Sequence, residues 1–132
     1  MFSPTQLSLR SLLGVDAATC AAMGGLLVLV SGDIAGVTQI SAPLLFWAGL
    51  LLFPVAVFMA LSARAAQVPG WAVNLVVLGN LAWVLASLVL PFAGVIAPNT
   101  LGWAFLLIQA AAVVVLSWLE WRASANQVPA GE

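Results

Sequence analysis

The sequence contains no lysine, histidine or tyrosine, and charged residues make up only 5% of its 132 positions. Three arginines, two aspartates and two glutamates carry all of the side-chain charge, and the net charge is −1. An ordinary soluble domain is about a quarter charged, so this chain has too few polar residues to cover a water-facing surface. The balance also provides no basic patch, and we therefore expect no binding to nucleic acid.

The missing residue types also exclude much enzyme chemistry. With no histidine and the single cysteine Cys20, the chain lacks the usual ligand sets for haem, zinc and iron–sulfur clusters. Neither a Ser–His nor a Cys–His pair can form, and no glycine-rich phosphate loop is present. The sequence therefore predicts a protein that is not an enzyme and that holds no cofactor and no metal.

Long apolar runs are the main feature of the sequence. The chain is 64% hydrophobic with a mean hydropathy of +1.20, and a helix needs about 20 apolar residues to cross the hydrocarbon core of a bilayer. We predict an all-α fold, an antiparallel bundle of four transmembrane helices in a single domain over residues 1–122, and a disordered tail over 123–132. The predicted helices cover about 12–31, 43–63, 71–91 and 101–121.

The segments between these runs contain helix-ending and helix-starting residues. Ser41 is a suitable N-cap for the second helix, and Asn99 or Thr100 can cap the fourth. Pro54 lies inside the second helix, where it removes a backbone hydrogen bond and predicts a kink. The segment 31–41 holds glycines, an aspartate and β-branched residues, and it is predicted to be a loop.

The arginines predict the orientation of the bundle. Arg10 precedes the first helix, Arg64 follows the second and Arg122 follows the fourth, so four spans place all three on one side of the membrane. The positive-inside rule makes that side cytoplasmic and puts both termini there. The first run could also be a secretory signal peptide, but "DAATCAAMGG" is weakly apolar and no A-x-A site follows, which favours an uncleaved helix.

Polar side chains inside the membrane are costly, so they are the candidate functional residues. Counting the rise of about 1.5 Å per residue places a first polar layer, Asp16, Asn74 and Ser117, near the cytoplasmic face. Asp16 could be a proton or cation site, because burial disfavours its charged form. It could equally be structural, accepting hydrogen bonds from Asn74 or pairing with an arginine that reaches inward.

A second polar layer is predicted nearer the membrane centre, formed by Asn80, Trp83 and Gln109. Asn80, Trp83 and Ser87 follow each other at i, i+3 and i+7, which places them on one face of a helix. They could form one wall of a ligand pocket. Alternatively they could serve hydrogen bonding between helices, for example from Asn80 to Gln109, with Trp83 filling space.

Two further patterns concern packing and internal symmetry. Ala17, Ala21 and Gly25 lie at four-residue spacing, and so do Cys20 and Gly24, which lets helix backbones approach closely within the bundle or between copies. A shift of 58 residues aligns Asp16 with Asn74 and Arg64 with Arg122 without a gap, as a duplicated helical hairpin would. The identity is low for so biased a composition, and the repeat stays a hypothesis.

Four stretches carry a resemblance to known proteins: "GVDAATCAAMGGLLVL", "PLLFWAGLLLFPVAVFMAL", "NLVVLGNLAWVLASL" and "LGWAFLLIQAAAVVVLSWLE". Over nearly its whole length it resembles a diffuse group of small uncharacterised bacterial membrane proteins with four helices. That resemblance implies the architecture and the bacterial inner membrane, and it implies no activity. Small four-helix multidrug exporters are similar in size, but their helix-one glutamate corresponds to a deeper position than Asp16, which argues against export.

Two functional hypotheses follow from the sequence. The first is a non-enzymatic packing or accessory subunit of a membrane complex or homo-oligomer. The second is a small dimeric transporter or ligand-binding membrane protein in which Asp16 is the proton- or cation-sensitive site. Both place the chain in the lipid bilayer with a second copy or a larger membrane subunit as its partner, because four helices enclose little volume.

Overall fold

A computed structural model describes residues 8–65 and 67–125. Within these residues the chain is helical, with five helices. The four long ones, α1, α3, α4 and α5, are long and apolar enough to cross a membrane, which confirms the prediction of four long apolar helices. The helices are α1 (Leu9–Leu29), α2 (Ser31–Thr38), α3 (Ala42–Arg64), α4 (Gly70–Phe92) and α5 (Thr100–Ala125).

The short helix α2 is the main departure from the predicted secondary structure. We expected a loop over 31–41, but eight residues form a helix that begins directly after Val30, the C-cap of α1. This helix ends at Thr38, because its C-cap residue Gln39 has a left-handed φ of 62° that stops the helical repeat. α5 also extends to Ala125, so the first residues of the predicted disordered tail are helical. The rest of that tail, 126–132, lies outside the described residues.

Two predicted helix starts are confirmed by their capping bonds. The Ser41 hydroxyl accepts a hydrogen bond from the backbone N–H of Leu44 at 3.5 Å, at the start of α3. The Asn99 side-chain oxygen accepts one from the N–H of Gly102 at 2.8 Å, at the start of α5. Both bonds satisfy a donor that has no partner inside its own helix. α3 runs through Pro54 and continues on both sides of it.

The long helices pack as two pairs. α1 lies along α3, α4 lies along α5, and a smaller contact between α1 and α5 joins the pairs. In the first pair, a Cβ added to Gly24 would lie 2.9 Å from the backbone oxygen of Gly49, closer than real Cβ atoms come to other atoms. The close approach therefore uses Gly24, one of the predicted small residues, whereas Gly25 has open space around it.

Two clusters of apolar side chains fill the interior. One contains Leu13, Met59 and Val73, and the other contains Leu27, Ile40, Leu45, Leu52, Ile96 and Leu106. Many large apolar side chains nevertheless lie on the outside, such as Leu29 and Phe92, which are 83% and 79% exposed. An apolar exterior of this kind suits contact with lipid rather than water.

Candidate functional site

Three polar side chains from three helices meet in the interior. They are Asp16 of α1, Asn80 of α4 and Glu120 of α5, which are 3%, 8% and 0% exposed. The Asn80 side-chain nitrogen donates one hydrogen bond to Oδ2 of Asp16 at 3.2 Å and another to Oε1 of Glu120 at 3.4 Å. A single amide therefore bridges two carboxyl groups that lie about a hundred residues apart in the sequence. We call these three residues the carboxyl cluster.

The shared amide holds the two carboxyl groups of the cluster near each other. Oδ2 of Asp16 and Oε1 of Glu120 accept from the same side-chain nitrogen of Asn80, so the two groups are close neighbours. Two ionised carboxylates have only acceptors, so neither can donate a hydrogen bond to the other. Like charges repel strongly where the dielectric constant is low, so one negative charge on the pair is more favourable than two.

The sulfur atoms of Cys20 and Met59 adjoin the cluster. The Cys20 thiol donates to Oδ1 of Asp16 at 3.7 Å, and its sulfur lies 4.0 Å from the sulfur of Met59 on α3. A thiol is a weak donor, and a thioether is a weak acceptor. This side of the cluster therefore provides little stabilisation for a full negative charge.

Each member of the cluster lies on the buried face of its own helix. On α1, Leu12, Leu13, Asp16 and Ala17 are all buried, at the spacing expected for one helical face. On α4, Asn80 continues the buried series of Val73 and Val76. The same periodicity that buries the apolar residues thus turns the polar ones inward.

Two polar atoms beside the cluster have no partner. The Ser117 hydroxyl, in a residue 3% exposed, and Oε2 of Glu120 are both buried, and neither makes a hydrogen bond within the part of the chain that the structure describes. Ser117 and Glu120 lie one turn apart on the buried face of α5. A buried polar atom without a partner costs about 1–3 kcal/mol, so this position favours an additional bound group.

A second polar network joins α4 and α5. The indole nitrogen of Trp83 donates to Oε1 of Gln109 at 2.7 Å, and Nε2 of Gln109 donates to the Ser87 hydroxyl at 2.8 Å and to the Leu106 carbonyl at 2.9 Å. The Ser87 hydroxyl in turn donates to the carbonyl oxygen of Trp83 at 2.9 Å. These side chains bond to one another and to backbone, which indicates that the network holds the two helices in register.

The structure groups the candidate residues differently from the two predicted layers. Asn74 is exposed, so it does not accompany Asp16, and Asn80 takes the place predicted for it. Gln109 bonds to Trp83 instead of Asn80. The physical reason is rotation about the helix axis: Ala72, Val73 and Val76 bury one face of α4, and Asn74 points away from that face. Counting residues from the helix ends gives the depth of a side chain in the membrane, but not the direction in which it points from the helix axis.

Glu120 is the member of the carboxyl cluster that the sequence does not predict. The predicted fourth helix ends at 121, which puts Glu120 at the membrane edge, where an exposed carboxylate needs no explanation. α5 continues to Ala125 and buries Glu120 completely. The spacing of Ser117 and Glu120, one turn apart, is the sequence signal that could have identified both as members of one polar face.

Two of the arginines contact groups outside the carboxyl cluster. The Arg122 guanidinium lies 4.9 Å from the ring centroid of Trp118, and the Arg10 guanidinium donates to the backbone oxygen of Ala65. Arg64 is exposed in the last turn of α3. The Asp16 carboxyl group accepts hydrogen bonds from Asn80 and Cys20.

Comparison of the chain with known proteins finds no match. No family model matches it, and neither the curated proteins nor the solved structures contain a significant match. Within the described ranges, no group of three or more histidine, cysteine, aspartate or glutamate side chains could hold a metal ion. The class of protein is therefore described by the chain's own features: it is helical, has four potential membrane spans and holds a buried pair of carboxyl groups.

The network around Gln109 gives a first prediction. Gln109→Leu removes the acceptor for the indole N–H of Trp83 and the donor to Ser87, and hydrogen bonds between membrane helices contribute about 1 kcal/mol each. We expect the free energy of unfolding in detergent to fall by about 1–2 kcal/mol. Asn74→Leu, on an exposed position of α4, is the control and should change it little. Equal effects of the two substitutions would show that the network contributes nothing.

Proposed function

We propose that this protein is a small, non-enzymatic, multi-pass membrane protein whose carboxyl cluster binds and releases a proton. In the proposed arrangement the four long helices are antiparallel in a bacterial cytoplasmic membrane, with both termini on the cytoplasmic side. The observation that carries the proposal is that Asp16 and Glu120 are both buried and are bridged by the amide of Asn80. One buried carboxyl group can be incidental, but two that share a donor form a proton-sensitive pair.

The groups around the pair support proton binding. α1 contributes Asp16 and the thiol of Cys20, α4 contributes the neutral amide of Asn80, and α5 contributes Glu120. α3 contributes Met59, which does not ionise and lies against Cys20. The groups that donate hydrogen bonds to the pair, the Asn80 amide and the Cys20 thiol, are both neutral, so a proton is the simplest means of reducing its negative charge.

Stability in detergent at different pH values tests the proposal. A folded state that keeps a proton which the unfolded chain has released becomes less stable as the pH rises. We expect the midpoint temperature of thermal unfolding to decrease as the pH is raised from about 5 to about 9. Asp16→Asn should remove most of that pH dependence. Asn74→Asp, which adds a carboxylate at an exposed position, is the control. A wild-type midpoint that does not change with pH would refute proton binding by the cluster.

A second candidate function is the accessory subunit, which the network of Trp83, Gln109 and Ser87 favours. Those side chains bond to one another and fix the register of α4 and α5, as a packing protein requires. Proton flux distinguishes the two functions: a proton-coupled transporter reconstituted into liposomes dissipates an imposed pH gradient faster than empty liposomes, and Asp16→Asn abolishes the difference. An accessory subunit shows no such flux, whether or not its stability depends on pH.

A further inference from the structure

One face of α4 has no partner among the described residues. Of the four long helices, α4 is the least covered by the rest of the chain: 17% of its apolar stretch is buried, compared with 22–33% for the others. Six residues follow this face at alternating spacings of four and three, and all but Leu88 are exposed. They are Asn74, Leu78, Leu81, Leu85, Leu88 and Phe92. We call them the α4 seam, since this alternation lines up one side of a helix.

Asn74 is the polar member of the seam. It is the fifth residue of α4, and its amide makes no hydrogen bond to any described residue. The exposed hydroxyl of Thr19 on α1, in contrast, donates to the carbonyl oxygen of Val15 in its own helix at 2.8 Å. An amide that faces hydrocarbon without a partner is costly. The position of Asn74 therefore favours a partner from outside the chain.

We propose that α4 is the contact between two copies of this chain, with the α4 seam of one copy packed against the same seam of the other. The buried face of α4, which contains Val73, Val76 and Asn80, is used inside each copy. The contact therefore goes beyond the proposed proton binding and does not depend on it. In a large excess of detergent each micelle holds one chain, so stability measured there reports the separate subunit.

The amide of Asn74 favours a second copy over a different subunit. Two copies that insert in the same orientation are related by a twofold axis along the membrane normal, so equivalent residues lie at the same depth. Asn74 then faces Asn74 of the partner subunit. Each amide offers both N–H donors and an oxygen acceptor, so the two side chains satisfy each other. A different subunit would have to supply a matching polar group at this depth.

The leucines of the seam contribute packing, and the amide contributes the preference for protein over lipid. Lipid tails are as apolar as leucine, so leucine contacts alone give little drive for association in a membrane, whereas hydrogen bonds between helices do. Side chains at alternating spacings of four and three interlock between two parallel helices and determine their register. The seam thus provides both the attraction and the alignment that a symmetric pair of helices requires.

Cysteine cross-linking in the membranes of the expressing cells tests which face is in contact. Leu85 on α4 and Leu51 on α3 are similarly exposed, at 61% and 57%. Each is replaced by cysteine in the full chain carrying Cys20→Ser, since Cys20 is the single native cysteine. Oxidation should link Leu85→Cys into a dimer, because a disulfide needs Cα atoms within about 7 Å, and Leu51→Cys should give little dimer. Equal linking of both variants, or linking of Leu51→Cys alone, would overturn the proposal.

Variants of Asn74 test the paired amides. The dissociation constant of the dimer is measured in liposomes by diluting the labelled chain with lipid and counting photobleaching steps of single particles. Asn74→Leu should raise this constant about tenfold or more, because two hydrogen bonds between helices are lost, and Asn74→Gln, which keeps an amide, should raise it less. An Asn74→Leu dimer as tight as the wild type would overturn the proposal. A wild type that is monomeric at every dilution would also overturn it and leave this face to lipid or to a different subunit.

Discussion

Asn80→Leu is expected to lower the free energy of unfolding at neutral pH by about 3 kcal/mol, the largest effect of any single substitution in the interior. Leucine has the same number and branching of side-chain heavy atoms but no donor, so Asp16 and Glu120 both lose the hydrogen bond from the shared amide. Hydrogen bonds to charged acceptors contribute about 1.5–3 kcal/mol each. Chemical unfolding in detergent, followed by helical circular dichroism, measures the change.

The same substitution at an exposed asparagine provides the matched control. Asn74→Leu changes the same side chain on the same helix but outside the cluster, and we expect an effect below about 0.5 kcal/mol. The loss from Asn80→Leu should also shrink when Asp16→Asn and Glu120→Gln are present, because the acceptors are then no longer charged. Equal losses from the two leucine substitutions would show that the cluster does not stabilise the fold.

Gly102→Ala is expected to lower the free energy of unfolding by about 2–3 kcal/mol through a steric clash. A Cβ at this position, in the first turn of α5, would overlap the backbone oxygen of Thr38 and lie 2.6 Å from Cβ of Pro98. The Thr38 oxygen also accepts the N–H of Asn99 at 3.0 Å. The backbone therefore cannot move away from the new methyl group without losing the contact that joins α2 to the start of α5.

Gly79→Ala is the control for this clash. Gly79 lies inside α4, and an added Cβ there meets no atom within 4 Å. Alanine favours the helix over glycine by about 0.5–1 kcal/mol, so this substitution should stabilise the protein slightly. If Gly102→Ala proves as mild as Gly79→Ala, the contact between the end of α2 and the start of α5 is looser than described.

The spans and caps could be predicted from the sequence because they depend on local information. Apolar runs of about 20 residues define the four long helices whatever their neighbours are, and Ser41 and Asn99 cap the residues that follow them directly. The sequence predicts a loop instead of helix α2 because the glycines and the aspartate of this segment are typical of loops. A residue that is distant in the sequence also stabilises this helix, since Asn99 donates hydrogen bonds to the carbonyl oxygens of both Val37 and Thr38.

The site was harder to predict because it depends on how the helices are rotated and shifted against one another. The cost of a carboxylate in the membrane identifies Asp16, but the partners expected for it are Asn74, which matches it in depth, or an arginine that reaches inward. The buried face of α4 selects Asn80 instead. Glu120 lies too close to a helix end for its burial to be read from hydropathy, and only the packing of α5 reveals it.

Infrared spectroscopy of the reconstituted protein tests the shared proton most directly. A protonated carboxyl group has a carbonyl stretching band that an ionised carboxylate lacks, and the chain has only four acidic side chains. We predict that the wild-type protein shows this band at neutral pH and that Asp16→Asn combined with Glu120→Gln removes it. A wild-type spectrum with no such band at neutral pH would mean that both carboxylates of the cluster are ionised, and it would contradict the account.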